Sequence, residues 1–206
     1  AVVFEASVDQ VEVGRIQAQQ IAALLPQGGN ILYLTGPAAG TAAARRTEGM
    51  LSRKPANIQL KHLTGNWTEE GAHRVVSSWL KLSTSKGAGF SAVISQNDAM
   101  AMGARQAFKE LSNPAERSHW LSLPFLGCDG LPDTGQQYVH RKELAATVVT
   151  PAIAGIALET YMRARQEKKT LPERHLVQPQ SFPAVPALRP LAAVLGGVAT
   201  PAPAAR

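Results

Sequence analysis

Cysteine is almost absent from this chain: Cys128 is the only one. A disulfide framework and a cysteine-built zinc site are therefore both excluded. Aromatic residues make up 5% of the 206 positions, and no apolar run approaches the ~20 residues that a helix needs to cross a bilayer. The opening "AVVFEASVDQ" lacks the basic start and long apolar core of a signal peptide, so on this reading the chain is cytosolic, mature or a fragment. Acidic residues are the minority, 15 against 21 Lys and Arg, for a net charge of +6. Such a balance suits nucleic acid or a membrane surface. The basic residues are scattered (Arg45 and Arg46, Lys81, Arg141 and Lys142, Lys168 and Lys169) and build no stripe, which reads as a solvated surface. No nucleic-acid partner is implied.

Signatures of catalysis are also lacking. Neither H-E-x-x-H nor G-x-S-x-G occurs, and no pair of carboxylates suggests glycoside chemistry. The five histidines, His62, His73, His119, His140 and His175, are dispersed, so neither a metal nor a cofactor is expected. The chain reads as a binding protein, not an enzyme.

What is present is a regular alternation of apolar runs and amphipathic stretches. Helices are expected at 11–25, 41–54, 68–83, 98–111 and 151–169, with a short one at 132–142. Strands are expected at 31–36, 58–65, 90–95, 123–128 and 144–149. Thr68 followed by Glu69 and Glu70 reads as a helix cap with first-turn acids, Asp98 as the cap of the next helix, and Pro151 as a first helical position. Alternation of this kind with short connections implies an α/β fold: a doubly wound, mainly parallel sheet with helices on both faces. Ligands of such sheets sit outside the carboxyl ends of the strands.

The residues just past each strand therefore matter most. "TGPAAGTAAARR" after the first strand matches neither G-x-G-x-x-G nor the P-loop, which speaks against a nucleotide. The following strands end in "TGNW", "SQND", "CDG" and "TP", bringing Trp67, Asn97, Asp129 and Thr150 to one sheet edge. Each has a plain structural reading: Trp67 as a staple on its own helix, Asn97 and Asp98 as caps, Asp129 as an Asx-turn. Together they make an aromatic platform, an amide, a carboxylate and a hydroxyl. That set suits a small polyhydroxylated ligand, whose hydroxyls share hydrogen bonds with amide and carboxylate while its C–H face packs on an indole. Cys128 reads as a small buried residue closing a strand.

"VDQVEVGRIQAQQIA", "NDAMAMGARQAF" and "GCDGLPDTGQQYVHRKELAATVVTP" resemble the type I periplasmic sugar-binding proteins of ABC transporters, the ribose-binding-protein-like group, over residues 2–182. That group shares its fold with the effector domains of LacI-type regulators, which supply the alternative function; the "D-G-x-P-D" form leans towards transport. The resemblance implies Arg46, Trp67, Asn97 and Asp129 as ligand-binding residues, with Thr150 standing where the family often has Gln. It implies a sugar or related polyol as ligand, a membrane permease as partner and a periplasmic or extracytoplasmic setting. It also implies two lobes. Residues 1–8 would then be a crossing segment from a missing N-terminal lobe and 9–150 the C-terminal lobe. Residues 151–183 would be a returning helix and last crossing strand, and 184–206 a flexible Ala/Pro-rich tail. The helix face bearing Ile153, Ile156, Leu158 and Met162 would lack its sheet, so self-association is a further expectation.

Overall fold

The computed structural model describes residues 4–82 and 89–190. Ser83, the expected end of the third helix, most of the tail (191–206) and the start of the first crossing segment (1–3) lie outside the described residues.

The elements in chain order are β1 (Glu5–Val8), α1 (Gln10–Leu24), β2 (Gly29–Thr35), α2 (Thr41–Arg53), β3 (Ile58–Thr64), α3 (Glu69–Leu80), β4 (Phe90–Ser95) and α4 (Asp98–Lys109). They continue with α5 (Pro114–Ser122), β5 (Phe125–Asp129), α6 (Gly135–His140), β6 (Ala146–Val149), α7 (Ile153–Gln166), β7 (Arg174–Val177) and β8 (Gln180–Phe182). Six strands form one sheet in the order β3-β2-β4-β5-β6-β8, parallel throughout except for β8, which runs antiparallel to β6. The strand order reverses at β2 and β4: the chain steps outward to β3, then crosses back to the other side of β2. A crevice opens at such a switch point, beyond the carboxyl ends of the strands.

The apolar strands are buried on both faces because each pleat sends alternate residues to opposite helix layers. Ile31 and Tyr33 join Ile21, Met50 and Ile94 under α1 and α2, while Leu32 and Leu34 join Val76, Trp79, Met100 and Phe108 under α3 and α4. Helices α1 and α2 approach backbone to backbone. A Cβ on Gly14 would collide with the Arg46 carbonyl, and one on Gly49 with the Val11 carbonyl. This close crossing fixes the turn of α2 that carries Arg46.

Several local expectations are corrected. The cap of α4 is Asn97, whose Oδ1 accepts from Met100 N–H at 2.9 Å; the carboxylate of Asp98 turns into the core instead. Helix α7 begins at Ile153 with Ala152 as its cap, so Pro151 lies before the helix. Helix α5, capped by Asn113 with Pro114 at its first turn, fills a stretch to which no element was assigned. The expected cap at Thr68 is present, its hydroxyl accepting from Gly71 N–H at 3.0 Å. In the segment read as a tail, Val185–Ala187 makes a 3-10 turn and Leu188 is buried against the α1 face of the core.

Val8 of β1 and Ile153 of α7 meet Val13, Ile16, Cys128 and Val148 in a small apolar cluster beside the main sheet. β1 and β7 pair in parallel as a sheet of their own, and α7 has no buried residue.

Candidate ligand-binding site

Two segments at the switch point are held in unusual backbone conformations. Asn66 and Trp67 both have positive φ, 56° and 65°, and Asp129 has φ 105° followed by Gly130 at 59°. Non-glycine residues in this region are strained, and such strain concentrates where a side chain must be aimed. The surroundings over-determine both turns. The Trp67 carbonyl accepts from Asn97 Nδ2 at 2.9 Å, and a Cβ on Gly36 would collide with the indole. The Asp129 carbonyl accepts from Thr150 N–H at 3.0 Å and from the Thr150 hydroxyl at 3.4 Å.

Arg46 links the two. Its guanidinium carbon lies 5.4 Å from the Trp67 ring centroid, and Nη1 lies 4.0 Å from Asp129 Oδ1. Nε donates to Gln10 Oε1 at 2.7 Å and Nη1 to the Gln96 carbonyl. Two of the five guanidinium N–H groups are thus held, which orients the fork. Asp129 is the accessible partner, with 41% of its side chain exposed against 8% for Arg46. Burial raises the Asp129 carboxyl above its ordinary range, and the Arg46 charge opposes the rise. Chemically this is a shelf of one fixed cation, one carboxylate and one indole, able to donate to and accept from neighbouring hydroxyls.

The five expected residues are therefore brought together, with unequal roles. Arg46, Trp67 and Asp129 present groups at the shelf. Asn97 caps α4 with its oxygen and holds the Trp67 turn with one N–H. The Thr150 hydroxyl is turned onto the Asp129 carbonyl, where it closes the turn.

Sequence reasoning missed a layer of buried polar groups behind the shelf. Gln96 Oε1 accepts from Gly36 N–H at 2.9 Å, and its Nε2 lies 3.0 Å from both Tyr33 OH and the Ala43 carbonyl. Gln17 Nε2 donates to the Ser95 and Gly127 carbonyls at 2.7 and 3.0 Å, tying off β4 and β5. Asp98 accepts from Gly130 N–H and from Thr147. The signal was available: Gln17 and Gln20 interrupt the apolar stripe of α1 at helical spacing, and Gln96 and Asp98 follow a strand buried at every position but Ser91. Cys128 is buried, and its thiol is pushed up to about 12 by desolvation, so it is an inert packing residue.

The sequence profile of the periplasmic binding protein domain matches residues 1–169. The chain belongs to this family. Among its relatives is the xylitol-binding protein of Mycolicibacterium smegmatis, 32% identical over 128 residues, covering 61% of this chain and 34% of that protein. The D-apiose import binding protein of Paraburkholderia graminis is 31% identical over 161 residues, 74% of this chain and 47% of that protein. A periplasmic solute-binding protein of an ABC transporter from Actinobacillus succinogenes 130z, solved with bound D-allose, has the same fold: TM-score 0.72 at 22% identity, covering 87% of this chain and 60% of that one. The chain thus spans between a third and a half of the length of these two curated relatives.

Proposed function

We propose that this chain is the ligand-holding lobe of a solute receptor that takes a small neutral sugar or polyol. The single observation that carries this is the convergence of Arg46, Asp129 and Trp67 at the sheet's switch point, with the guanidinium 4.0 Å from the carboxylate and 5.4 Å from the indole centroid. Arg46 and Asp129 would share hydrogen bonds with adjacent hydroxyls, and the indole would receive the apolar face of the ring. The remaining N–H of Asn97 would add a donor. The binding and import roles in the relatives' names weigh for a receptor over the LacI-type regulator reading.

The receptor would work extracytoplasmically and hand its ligand to the membrane permease of an ABC-type importer. Clamping needs a second lobe that closes by hinge motion. An α7 without buried residues, and a β1–β7 pair separate from the main sheet, support a second unit docking there.

Isothermal titration of neutral pentoses, hexoses and polyols, beginning with xylitol and D-apiose, tests the reading. Saturable binding that is lost in Asp129→Ala supports it. Binding of a sugar at full strength by Asp129→Ala and Trp67→Ala alike would place the site elsewhere and overturn it.

A further inference from the structure

Behind the shelf lies a carboxylate that the site reading leaves without a task. Asp98 is 4% exposed and has both oxygens engaged: Oδ2 accepts from Gly130 N–H at 2.8 Å and Oδ1 from the Thr147 hydroxyl at 2.7 Å. Room for it is made by two glycines, since a Cβ on Gly127 would fall on Oδ1 and one on Gly135 on Oδ2. The turn it grips is the strained one that aims Asp129. Every backbone polar group about the Asp129–Gly130 peptide is held: the Asp129 carbonyl by Thr150, the Gly130 N–H by Asp98, and the Gly130 carbonyl by Gln136 Nε2 at 2.9 Å. Of these three anchors only Asp98 can carry charge.

We infer that Asp98 is a positioning residue of the ligand site, its carboxylate holding the Gly130 N–H so that Asp129 stays in the left-handed turn that presents it to the shelf. An ionised acceptor holds an N–H about twice as strongly as a neutral one. Protonation of Asp98 therefore loosens the turn without dismantling it. The charged and titratable groups facing Asp98 are Arg46, Asp129 and the thiol of Cys128, and the thiol stays neutral. Desolvation, with a smaller push from the Asp129 charge, raises the Asp98 carboxyl to about 7 against the pull of Thr147, Gly130 and Arg46. The grip on the turn thus changes near neutrality. The consequence for affinity, which rests on the receptor reading above, is that ligand binds more tightly above this titration than below it.

Asp98→Asn is the discriminating variant. Its amide oxygen can take the Gly130 N–H while its NH₂ donates to a reoriented Thr147 hydroxyl, so the fold is retained and the titration removed. In the absence of ligand, the Gly130 amide resonance of the wild-type protein should titrate with a midpoint near 7, and that of Asp98→Asn should not. Xylitol titrated at about pH 6 and about pH 8 should bind the wild type about fivefold more weakly at the lower pH. In Asp98→Asn this difference between the two pH values should vanish.

A Gly130 resonance insensitive to pH in the wild type, or equally sensitive in Asp98→Asn, would overturn the inference whatever the ligand result. A Gly130 titration abolished by Asp98→Asn, with no sugar bound at either pH, would uphold the positioning role and count against the sugar reading instead.

Discussion

Helices α4 and α7 each follow a strand of the same sheet and have similar lengths, 12 and 14 residues. Both carry an apolar stripe. In α4 seven residues are buried, among them Met100, Ala104 and Phe108; in α7 none is, and Leu158 is 63% exposed. The difference lies in what the layers above them offer. α4 packs on α3 and the sheet, and Phe108 stacks on Trp120 with centroids 4.4 Å apart. α7 lies beside β1 of the two-stranded sheet, and only its first residue, Ile153, reaches a core cluster among the described residues. An amphipathic pattern therefore states that a face is to be covered; it does not state by what.

The largest expected effect is at the packed end of this contrast. Phe108→Ala should destabilise the protein by about 3–5 kcal/mol, through lost transfer energy and the cavity left beside Trp120. Chemical denaturation monitored by tryptophan fluorescence reads it directly, since Trp79 and Trp120 lie in the same cluster. A loss under about 0.5 kcal/mol, the range of ordinary surface changes, would mean that α4 is no better packed than α7.

Next in size is a pH effect, which sharpens the contrast from inside the core. The Asp98 carboxyl lies at about 7 in the folded protein, above the ordinary 3.8. The folded state therefore binds the proton more tightly than the unfolded chain. This contribution to stability is full below the unfolded value and lost as pH rises through about 7. Wild type should lose on the order of a few kcal/mol relative to Asp98→Asn between about pH 4 and pH 8, read as the difference in denaturation midpoints at each pH. A constant difference between the two proteins across that range would sink the assignment. The sign is opposite to that expected for ligand affinity, which Asp98 ionisation strengthens. A group that weakens the fold while tightening the site is what stability–function trade-offs look like at a binding turn.

A third prediction separates binding from folding at Asp129. With φ at 105°, a glycine fits the turn without strain, so Asp129→Gly should gain about 1 kcal/mol in stability. The same change removes the accessible carboxylate. Loss of about 2 kcal/mol or more in sugar binding is expected, as for anchors that a bound ligand desolvates, and likewise for Trp67→Ala. Calorimetry and thermal melts on the same samples test both halves. A destabilised Asp129→Gly would show that the side chain supports the turn rather than strains it.

How far this was legible in the sequence follows the same division. The α/β alternation, both apolar faces of the sheet and the edge at which Arg46, Trp67, Asn97 and Asp129 meet could be read from period, turn residues and motif resemblance, because those are local signals. The roles within the edge could not. Asn97 and Asp98 are neighbours with similar capping chemistry, and the choice between them was made by a residue 32 positions away, when Gly130 N–H took the carboxylate. Thr150 reads as a free hydroxyl but is turned onto the Asp129 carbonyl, 21 positions upstream. Helix α5 was missed because its moderate apolar content lacks a clear stripe, and only Trp120 of its nine residues is buried. Long-range hydrogen bonds leave no period in the sequence.

The smallest effect falls on the open end of the contrast. Leu158→Ser on α7 should change stability by no more than about 0.5 kcal/mol, because a side chain already 63% exposed leaves no cavity and gives up little buried area. The same holds for Met162, 49% exposed. Denaturation of Leu158→Ser beside sedimentation of the wild-type protein makes the test two-sided. If the wild type sediments as a monomer and the variant unfolds at the wild-type midpoint, α7 is uncovered in this chain and its apolar face is kept for a second unit. If the midpoint drops by several times that amount and the wild type sediments as a dimer, the face is already covered by a copy of itself. The contrast between α4 and α7 would then be one between two kinds of partner rather than between a covered and an open helix.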